Sequence, residues 1–142
     1  MADSIAVDGG NSLPAAKFTA VGEVHQGVIT GVSEVQETDF ATKQKKFWHP
    51  TNGSVVLGDK IALEQLHLFK PVIQWAIELD NRVVVWAKGN LMAETKKAIK
   101  AAGETSIRVG GQWAGKLVEL KDTGKGQPAK IHQVKYVAPK SL

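Results

Sequence analysis

The chain contains no cysteine at any of its 142 positions. Disulfide bonds, thiolate metal ligands and cysteine nucleophiles are therefore excluded. The four histidines stand far apart, and none has a second ligand at the spacing of a metal site. We expect no metal centre and interpret each histidine as a surface or packing residue: His25, His49, His67 and His132.

Long hydrophobic runs are also missing. No apolar stretch approaches the roughly 20 residues that a membrane-spanning helix needs, so we expect no membrane contact. The opening residues, MADSIAVDGGNSLPAAK, lack the basic cluster and apolar run of a secretory signal. With 43% hydrophobic and 23% charged residues, the composition is typical of one soluble domain, and we expect cytoplasmic localisation.

Catalytic motifs are lacking as well. The glycines around Lys125 do not form the G-x-x-x-x-G-K-[ST] pattern of a phosphate-binding loop. No serine stands in a G-x-S-x-G elbow, and spacing alone brings no two carboxylates together. We therefore predict no enzymatic activity, no cofactor and no small-molecule substrate.

Positive charge is concentrated after the first forty residues. Residues 1–40 carry six acidic side chains and one lysine, whereas the rest of the chain carries 17 basic and 8 acidic side chains. The net charge of +4 therefore comes from the body of the chain. This distribution favours a polyanionic partner, although a lysine-rich solvated surface would give the same totals.

The pattern of apolar residues predicts one domain. Residues 1–16 are small and acidic without periodicity, which indicates a flexible arm; the domain covers residues 17–138, and 139–142 form a short tail. Runs rich in β-branched residues, bounded by turn residues, predict strands. In chain order the predicted elements are strands 21–35, 72–79 and 82–88, a helix over 90–103, and strands 106–120 and 130–137.

Between the first two strands, the Asn52-Gly53 pair predicts a hairpin turn joining 46–48 to 54–57. The helix has Asn90 as its expected N-cap and Gly103 just past its end. Its apolar face is Leu91, Thr95, Ala98, Ile99 and Ala102, with Lys96, Lys97 and Lys100 on the other side.

Five strands with a helix between the third and fourth form the arrangement of the oligonucleotide-binding (OB) fold, a small β-barrel. We therefore predict an all-β fold with one helix, built as a five-stranded OB barrel. Such barrels bind oligonucleotides or oligosaccharides on the face of strands 2 and 3 and on the adjoining loops.

Aromatic residues make up only 6% of the chain, yet four of them are tryptophans. Proteins that bind single strands combine a positive groove with aromatic rings on which bases stack. Trp48 follows a basic run, so we predict a binding role for Lys43, Lys45, Lys46, Phe47 and Trp48.

Alternation along the central strands sorts two more tryptophans. It places Arg82, Trp86 and Lys88 on one face of the third strand, and we predict that they bind the ligand. The same rule groups Trp75 with three aliphatic residues, which indicates the core. Trp113, flanked by Arg108 and Lys116, follows two glycines where a bulge could reverse its side, so both interpretations stay open while all three are kept as candidates.

Several segments together resemble the small single-domain, single-stranded-DNA-binding proteins of bacteriophages. They are TKQKKFWHPTNG (42–53), RVVVWAKG (82–89), MAETKKAIKAAG (92–103), the Gly110-Gly111 pair, and the Lys130 to Tyr136 segment, and they span most of residues 20–138. The resemblance implies an OB fold and sequence-tolerant binding of single strands during replication or recombination, without a cofactor and in the host cytoplasm.

The chain departs from bacterial single-strand binders, which end in an acidic tail that recruits partners. Here the end is YVAPKSL, without an acidic residue. Homo-oligomerisation, common among such proteins, stays open. The alternatives to a single-stranded-DNA binder are an OB module that binds RNA or a protein partner in a larger assembly, and an enzyme or structural virion component.

Overall fold

The computed structural model describes residues 13–124 and 126–140. Within them the fold is mostly β with one α-helix, and all the sheet pairings are antiparallel. The strands are β1 (Val24–Gln36), β2 (Lys46–Trp48), β3 (Val55–Leu57), β4 (Lys70–Pro71), β5 (Ile73–Leu79), β6 (Val84–Ala87), β7 (Gln112–Lys121) and β8 (Ala129–Val137), and the helix is α1 (Gly89–Ala101).

The chain divides into two compact units. The larger unit contains the chain up to Ser33 and from Trp75 onwards, and the smaller unit is Glu34–Gln74. A five-stranded sheet has the order β6-β5-β1-β7-β8, and a three-stranded sheet has the order β3-β2-β4. The helix follows β6 and precedes β7. The five predicted main strands and the helix between the third and fourth of them are therefore confirmed.

The five-stranded sheet is not closed into a barrel by backbone pairing. β6 and β8 are its two edges, and among the described residues no hydrogen-bonded ladder joins them. Pairing instead links β5 to β6, β1 to β7, and β7 to β8, with Ala76 opposite Trp86 and Trp113 opposite Tyr136. The closed barrel predicted from the strand order is absent.

The core of the larger unit lies between the sheet and α1. Alternate residues of β5 and β6 point into it, so that Ile77, Val85 and Ala87 have no exposed surface. From β7 come Trp113 and Leu117, which are 1% and 0% exposed. Each fully buried aliphatic side chain stabilises the fold by about 1.5–3 kcal/mol.

The helix ends as predicted but begins differently. Gly103 has a φ of 77°, and the Glu104 N–H donates to the Ile99 carbonyl at 3.1 Å, which completes a C-terminal cap. Asn90 is not the N-cap, because Lys88 holds that position. The Asn90 Oδ1 instead accepts a hydrogen bond from the His132 backbone N–H at 2.7 Å. Of the predicted apolar face, only Ala102 is exposed.

The predicted N-terminal arm ends earlier than residue 16. The Ala16 N–H donates to the Val84 carbonyl at 2.8 Å, and the Val84 N–H donates to the Pro14 carbonyl at 3.0 Å. Phe18 follows directly and is 5% exposed. Residues 14–16 of the predicted arm are therefore paired with β6, while residues 1–12 of the arm lie outside the described residues, as do residues 141–142 of the tail.

In the smaller unit, the predicted hairpin is confirmed. β2 pairs with β3, and Gly53 has a φ of 71° in the turn between them. The Asn52 Oδ1 accepts hydrogen bonds from the Ser54 N–H at 2.9 Å and its hydroxyl at 2.6 Å. Two short 3-10 turns that the sequence did not predict follow, at Gly58–Lys60 and Leu63–Leu68.

The predicted fourth strand starts later than expected. β7 begins at Gln112, because Gly110 adopts a φ of 94° and the Gly110-Gly111 pair forms a turn held by Ile29. The register shift lies further along, between Leu117 and Glu119. Before that shift, every second residue of β7 is buried, and Trp113 is one of these residues. Its side chain therefore points into the core.

Candidate functional site

A groove on the larger unit contains an exposed tryptophan and three lysines. Its volume is about 550 Å³, and Trp86 is 39% exposed there. Lys17, Lys88 and Lys130 line the same groove, and none of the described residues lining it is acidic. No described carboxylate lies within ion-pair distance of these three lysines. The groove therefore combines an accessible aromatic ring with three ammonium groups that pair with no carboxylate in the described part of the chain.

Strand alternation and the start of the helix position these side chains. Val85 and Ala87 are fully buried on one face of β6, which directs Trp86 to the other face. Lys88 follows at the N-cap of α1, where no side chain caps the first turn. Backbone N–H groups at a helix N-terminus carry partial positive charge. This first turn, which contributes Asn90 and Leu91 to the lining, therefore adds to the positive potential of the groove.

The N-terminal segment that carries Lys17 is fixed by hydrogen bonds. The Lys17 carbonyl is 2.7 Å from His25 Nε2. In the following turn, Glu23 Oε1 accepts hydrogen bonds from the Thr19 N–H, the Thr19 hydroxyl and the Ala20 N–H at 2.7–2.8 Å. These bonds, above all that from the Thr19 hydroxyl, lower the pKa of Glu23 to about 2. The carboxylate therefore stays ionised and holds this wall of the groove at neutral pH.

His132 is a packing residue beside the groove. It is 8% exposed, its Nδ1 is 3.0 Å from Asn90 Oδ1, and its ring meets the Phe18 ring edge-on at 5.1 Å. Burial, and secondarily the charge of Lys130, lower its pKa. The imidazole is therefore neutral at pH 7 and adds no charge to the groove.

The residues predicted around Trp48 lie in the smaller unit. Trp48 is 43% exposed on β2, opposite Val55, and Phe47 is half-buried on the other face of the strand. The Lys46 ammonium is 3.7 Å from a Glu37 carboxylate oxygen. The unit contains five lysines and five acidic residues, so its net charge is zero. All of the net charge of the chain belongs to the other part.

At the tip of the loop before β2, one aromatic residue escaped the sequence analysis. Phe40 is 90% exposed, and the Lys43 ammonium lies 5.1 Å from its ring centroid. Lys43 has a φ of 63°, and Asp39 closes the loop by accepting two hydrogen bonds from Thr42. These bonds lower the pKa of Asp39. Lys45 is exposed on the same loop.

Three other predicted basic residues lie outside the Trp86 groove. Arg82 has a φ of 65° in the turn before β6, so strand alternation does not extend to it. Arg108 donates to a Glu104 carboxylate oxygen at 2.8 Å. Lys116 is exposed on β7 and lines a separate shallow depression.

The structure places Trp113 away from any surface. Its ring is 1% exposed, and its indole N–H donates to the Thr95 hydroxyl at 3.2 Å. No face of the ring is available to a ligand, which corrects the prediction that kept Trp113 as a binding candidate. Trp75, predicted for the core, is partly exposed at the edge of the core.

Sequence reasoning missed Lys17 and Lys130, which line the groove with Trp86. Neither belongs to an aromatic or basic run in the sequence, so no local signal marks them. They become neighbours because the segment before β1 runs beside β6 while β8 packs on α1.

Comparison with protein-family models, with curated proteins and with solved structures gives no match. In the part of the chain that the structure describes, no three histidine or carboxylate side chains are grouped as a metal site would require. The same part contains no helix long and apolar enough to cross a membrane.

Proposed function

We propose that this chain binds single-stranded DNA with little sequence preference, and that the Trp86 groove holds the strand. The observation that carries the proposal is the exposed ring of Trp86 among three lysines that have no carboxylate partner among the described residues. A base stacked on the ring is worth about 1–3 kcal/mol and is nearly independent of sequence. The ammonium groups of Lys17, Lys88 and Lys130 then meet the flanking phosphates.

The strand order supports an OB-type interpretation of the fold. When the five main strands are numbered by their order in the sequence, their order across the sheet is third, second, first, fourth and fifth. The helix comes between the third and the fourth strand in the sequence. This is an OB arrangement opened between its third and fifth strands, and OB folds are partly open barrels. Trp86 belongs to the third strand, while Gln127 and Pro128 belong to the last loop, which are regions where OB folds bind oligonucleotides.

The chemistry required is binding alone. Stacking needs an unpaired base, so the groove favours a single strand over a duplex, in which the ring faces are covered. Lysines contact the backbone without reading sequence. Together with the resemblance to bacteriophage single-stranded-DNA-binding proteins, this supports a role in protecting single strands during replication or recombination.

A second candidate function is that of an OB-type module for an RNA or protein partner, and the smaller unit favours the protein. This unit has no net charge, yet Phe40 and Leu63 are 90% and 83% exposed. Exposed large apolar residues on a neutral surface are typical of protein contacts. Leu63 in particular offers a single strand neither charge nor a ring on which a base can stack.

One titration tests the proposal. Tryptophan fluorescence is followed while oligo-dT, the matching oligo-U or duplex DNA is added at two salt concentrations. We expect quenching by oligo-dT, weaker binding of the duplex, and an affinity that falls with salt at a slope of about −2, since each of three neutralised charges contributes about −0.7. Unchanged fluorescence and an unchanged hydrodynamic size with oligo-dT would remove the function. Preference for oligo-U would replace DNA by RNA.

A further inference from the structure

A second concave patch on the larger unit shares no lining residue with the Trp86 groove. Its volume is about 500 Å³, and it lies where Trp75 of β5 meets the lysine face of α1. Lys96, Lys97 and Lys100 line it. We call this the Trp75 patch.

The sequence of α1 builds the patch. Thr95, Ala98 and Ile99 are buried against the core, so the helical period turns the three lysines outwards as one cluster. Trp75 has the same strand parity as Ile77, which is fully buried, but it lies nearer the start of β5 and is only partly buried. Its ring is therefore covered by the core on one side and open to the patch on the other.

The charge of the patch is only partly neutralised. Lys97 pairs with Glu94 at 3.4 Å, and the one acidic residue in the lining, Glu104, is held by Arg108 at 2.8 Å. Lys96 and Lys100 have no carboxylate within ion-pair distance among the described residues. The Lys96 ammonium lies 5.7 Å from the centroid of the Trp75 ring. Two lysines without a described carboxylate partner thus lie beside the partly exposed ring of Trp75.

We infer that the Trp75 patch is a second contact for the same single strand, an inference that rests on the proposed function. Phosphates bind Lys96 and Lys100, and a base packs on the open part of Trp75. An acidic peptide satisfies the lysines but offers a flat ring only where it also contains an aromatic residue, whereas every nucleotide of a single strand carries both a phosphate and a flat base. A nucleic acid strand therefore fits both features best. The ligand class is a phosphodiester strand with unpaired bases.

The sheet register relates the two contacts. Trp75 is opposite Ala87, and Trp86 is opposite Ala76, so the two tryptophans are one pair apart on neighbouring strands and on opposite faces. A single strand that contacts both tryptophans therefore has to pass from one face of the sheet to the other. Only an oligonucleotide longer than one contact can engage both.

The test uses full-length protein with Trp48→Phe and Trp86→Phe, which keeps an aromatic ring at both positions. The remaining tryptophans are Trp75 and the buried Trp113, so fluorescence quenching by a ligand reports on Trp75. We expect quenching by oligo-dT of about 20 nucleotides, and less by one of about 6, given OB site sizes of about 4–16 nucleotides.

In the same background, Lys96→Gln with Lys100→Gln should abolish this quenching. In the otherwise unaltered protein, five phosphate contacts give a salt slope of about −3.5 with the long oligonucleotide, and the same pair of substitutions should bring it back to about −2. The control is Lys121→Gln with Lys140→Gln, an equal charge change at exposed lysines that line neither site, and it should change the quenching and the slope little. Thermal melts check that all variants are folded.

Three results overturn the inference. Quenching and slope that survive the Lys96 and Lys100 substitutions remove the second contact, and an equal loss in the control variant reduces it to general charge. The third result has two parts: a poly-glutamate peptide binds and its binding is lost on the Lys96 and Lys100 substitutions, while the binding of oligo-dT is unaffected by them. The patch then serves an acidic protein instead. In each case, the proposed function is still supported if the unaltered protein binds oligo-dT. The proposed function itself fails only if the unaltered protein does not bind oligo-dT at all.

Discussion

Replacing Trp86 with alanine is the sharpest test of the Trp86 groove. The indole is 39% exposed, so about three-fifths of its surface is covered. Taking about 200 Å² for a buried tryptophan and about 25 cal/mol per Å², this covered area contributes about 3 kcal/mol to folding as an upper bound. We therefore expect Trp86→Ala to lower the melting temperature without unfolding the protein at 25 °C.

The effect on binding should be separate from this loss of stability. The loss of one stacked base costs about 1–3 kcal/mol of binding free energy, which raises the dissociation constant for oligo-dT about 5-fold to 140-fold. The assay is the anisotropy of labelled oligo-dT, which does not depend on protein fluorescence. Trp86→Phe keeps an aromatic face and should recover most of the affinity.

The matched control is Trp113→Phe. It removes the N–H that donates to Thr95, a residue with no exposed surface, so it should destabilise the fold by about 1–3 kcal/mol. Because Trp113 is buried, the dissociation constant should not change while the protein is folded. A folded Trp86→Ala protein with unaltered affinity, or a Trp113→Phe protein that loses affinity while folded, would refute the assignment of the two rings.

Three further outcomes can be tested. Because residues 1–12 are small and acidic without a hydrophobic pattern, deleting them should leave the melting temperature nearly unchanged. Deleting 1–18 removes the segment paired with β6 and a buried phenylalanine, at a cost of about 3–5 kcal/mol; equal melting temperatures of the two deletion variants would show that the paired segment adds nothing. Gly115→Ala should destabilise the fold by about 1–3 kcal/mol, because an added Cβ would clash with the Trp113 ring; an unshifted denaturant midpoint argues against that close packing. The free energy of unfolding should fall as the pH drops below about 6.5, because His132 has a lowered pKa in the folded state and takes up its proton more readily in the unfolded chain. His132→Gln should therefore reduce the dependence of the denaturation midpoint on pH between pH 7 and 5. An unaltered dependence would exclude this histidine as the cause.

Local patterns in the sequence account for most of the elements. The Asn52-Gly53 pair marks the hairpin turn because glycine accepts a positive φ at little cost. Gly103 marks the end of α1 for the same reason. Alternation separates Trp86 from the buried side of β6, because the opposite face must fill the core.

The errors arise where distant residues decide the outcome. Asn90 has the chemistry of an N-cap, yet its side-chain oxygen accepts a hydrogen bond from the backbone N–H of His132 in the last strand. Arg82 continues the alternating pattern in sequence, but the turn into β6 requires a positive φ at that position. The side of Trp113 depended on a bulge, and the register shift falls after Leu117 instead.

The candidate site was only half accessible from the sequence. Trp86 and Lys88 belong to one local pattern and could be grouped by it. Lys17 and Lys130 could not, because only the strand order brings their segments together. The lysines of α1 were visible as one face of a helix, but which strand residue they meet depends on packing, and that residue proved to be Trp75.

The origin of the groove walls has a consequence for how the molecule forms. Lys17 precedes the first strand and Lys130 belongs to the last, so the groove exists only after both ends of the chain have docked. Contacts between such distant segments form late and slowly, because a long loop must be closed first. A chain still in synthesis, or one that lacks β8, has no complete groove. A ligand that binds only the folded state stabilises that state by mass action. The proposed DNA strand would therefore bind and stabilise fully folded molecules rather than partly folded ones.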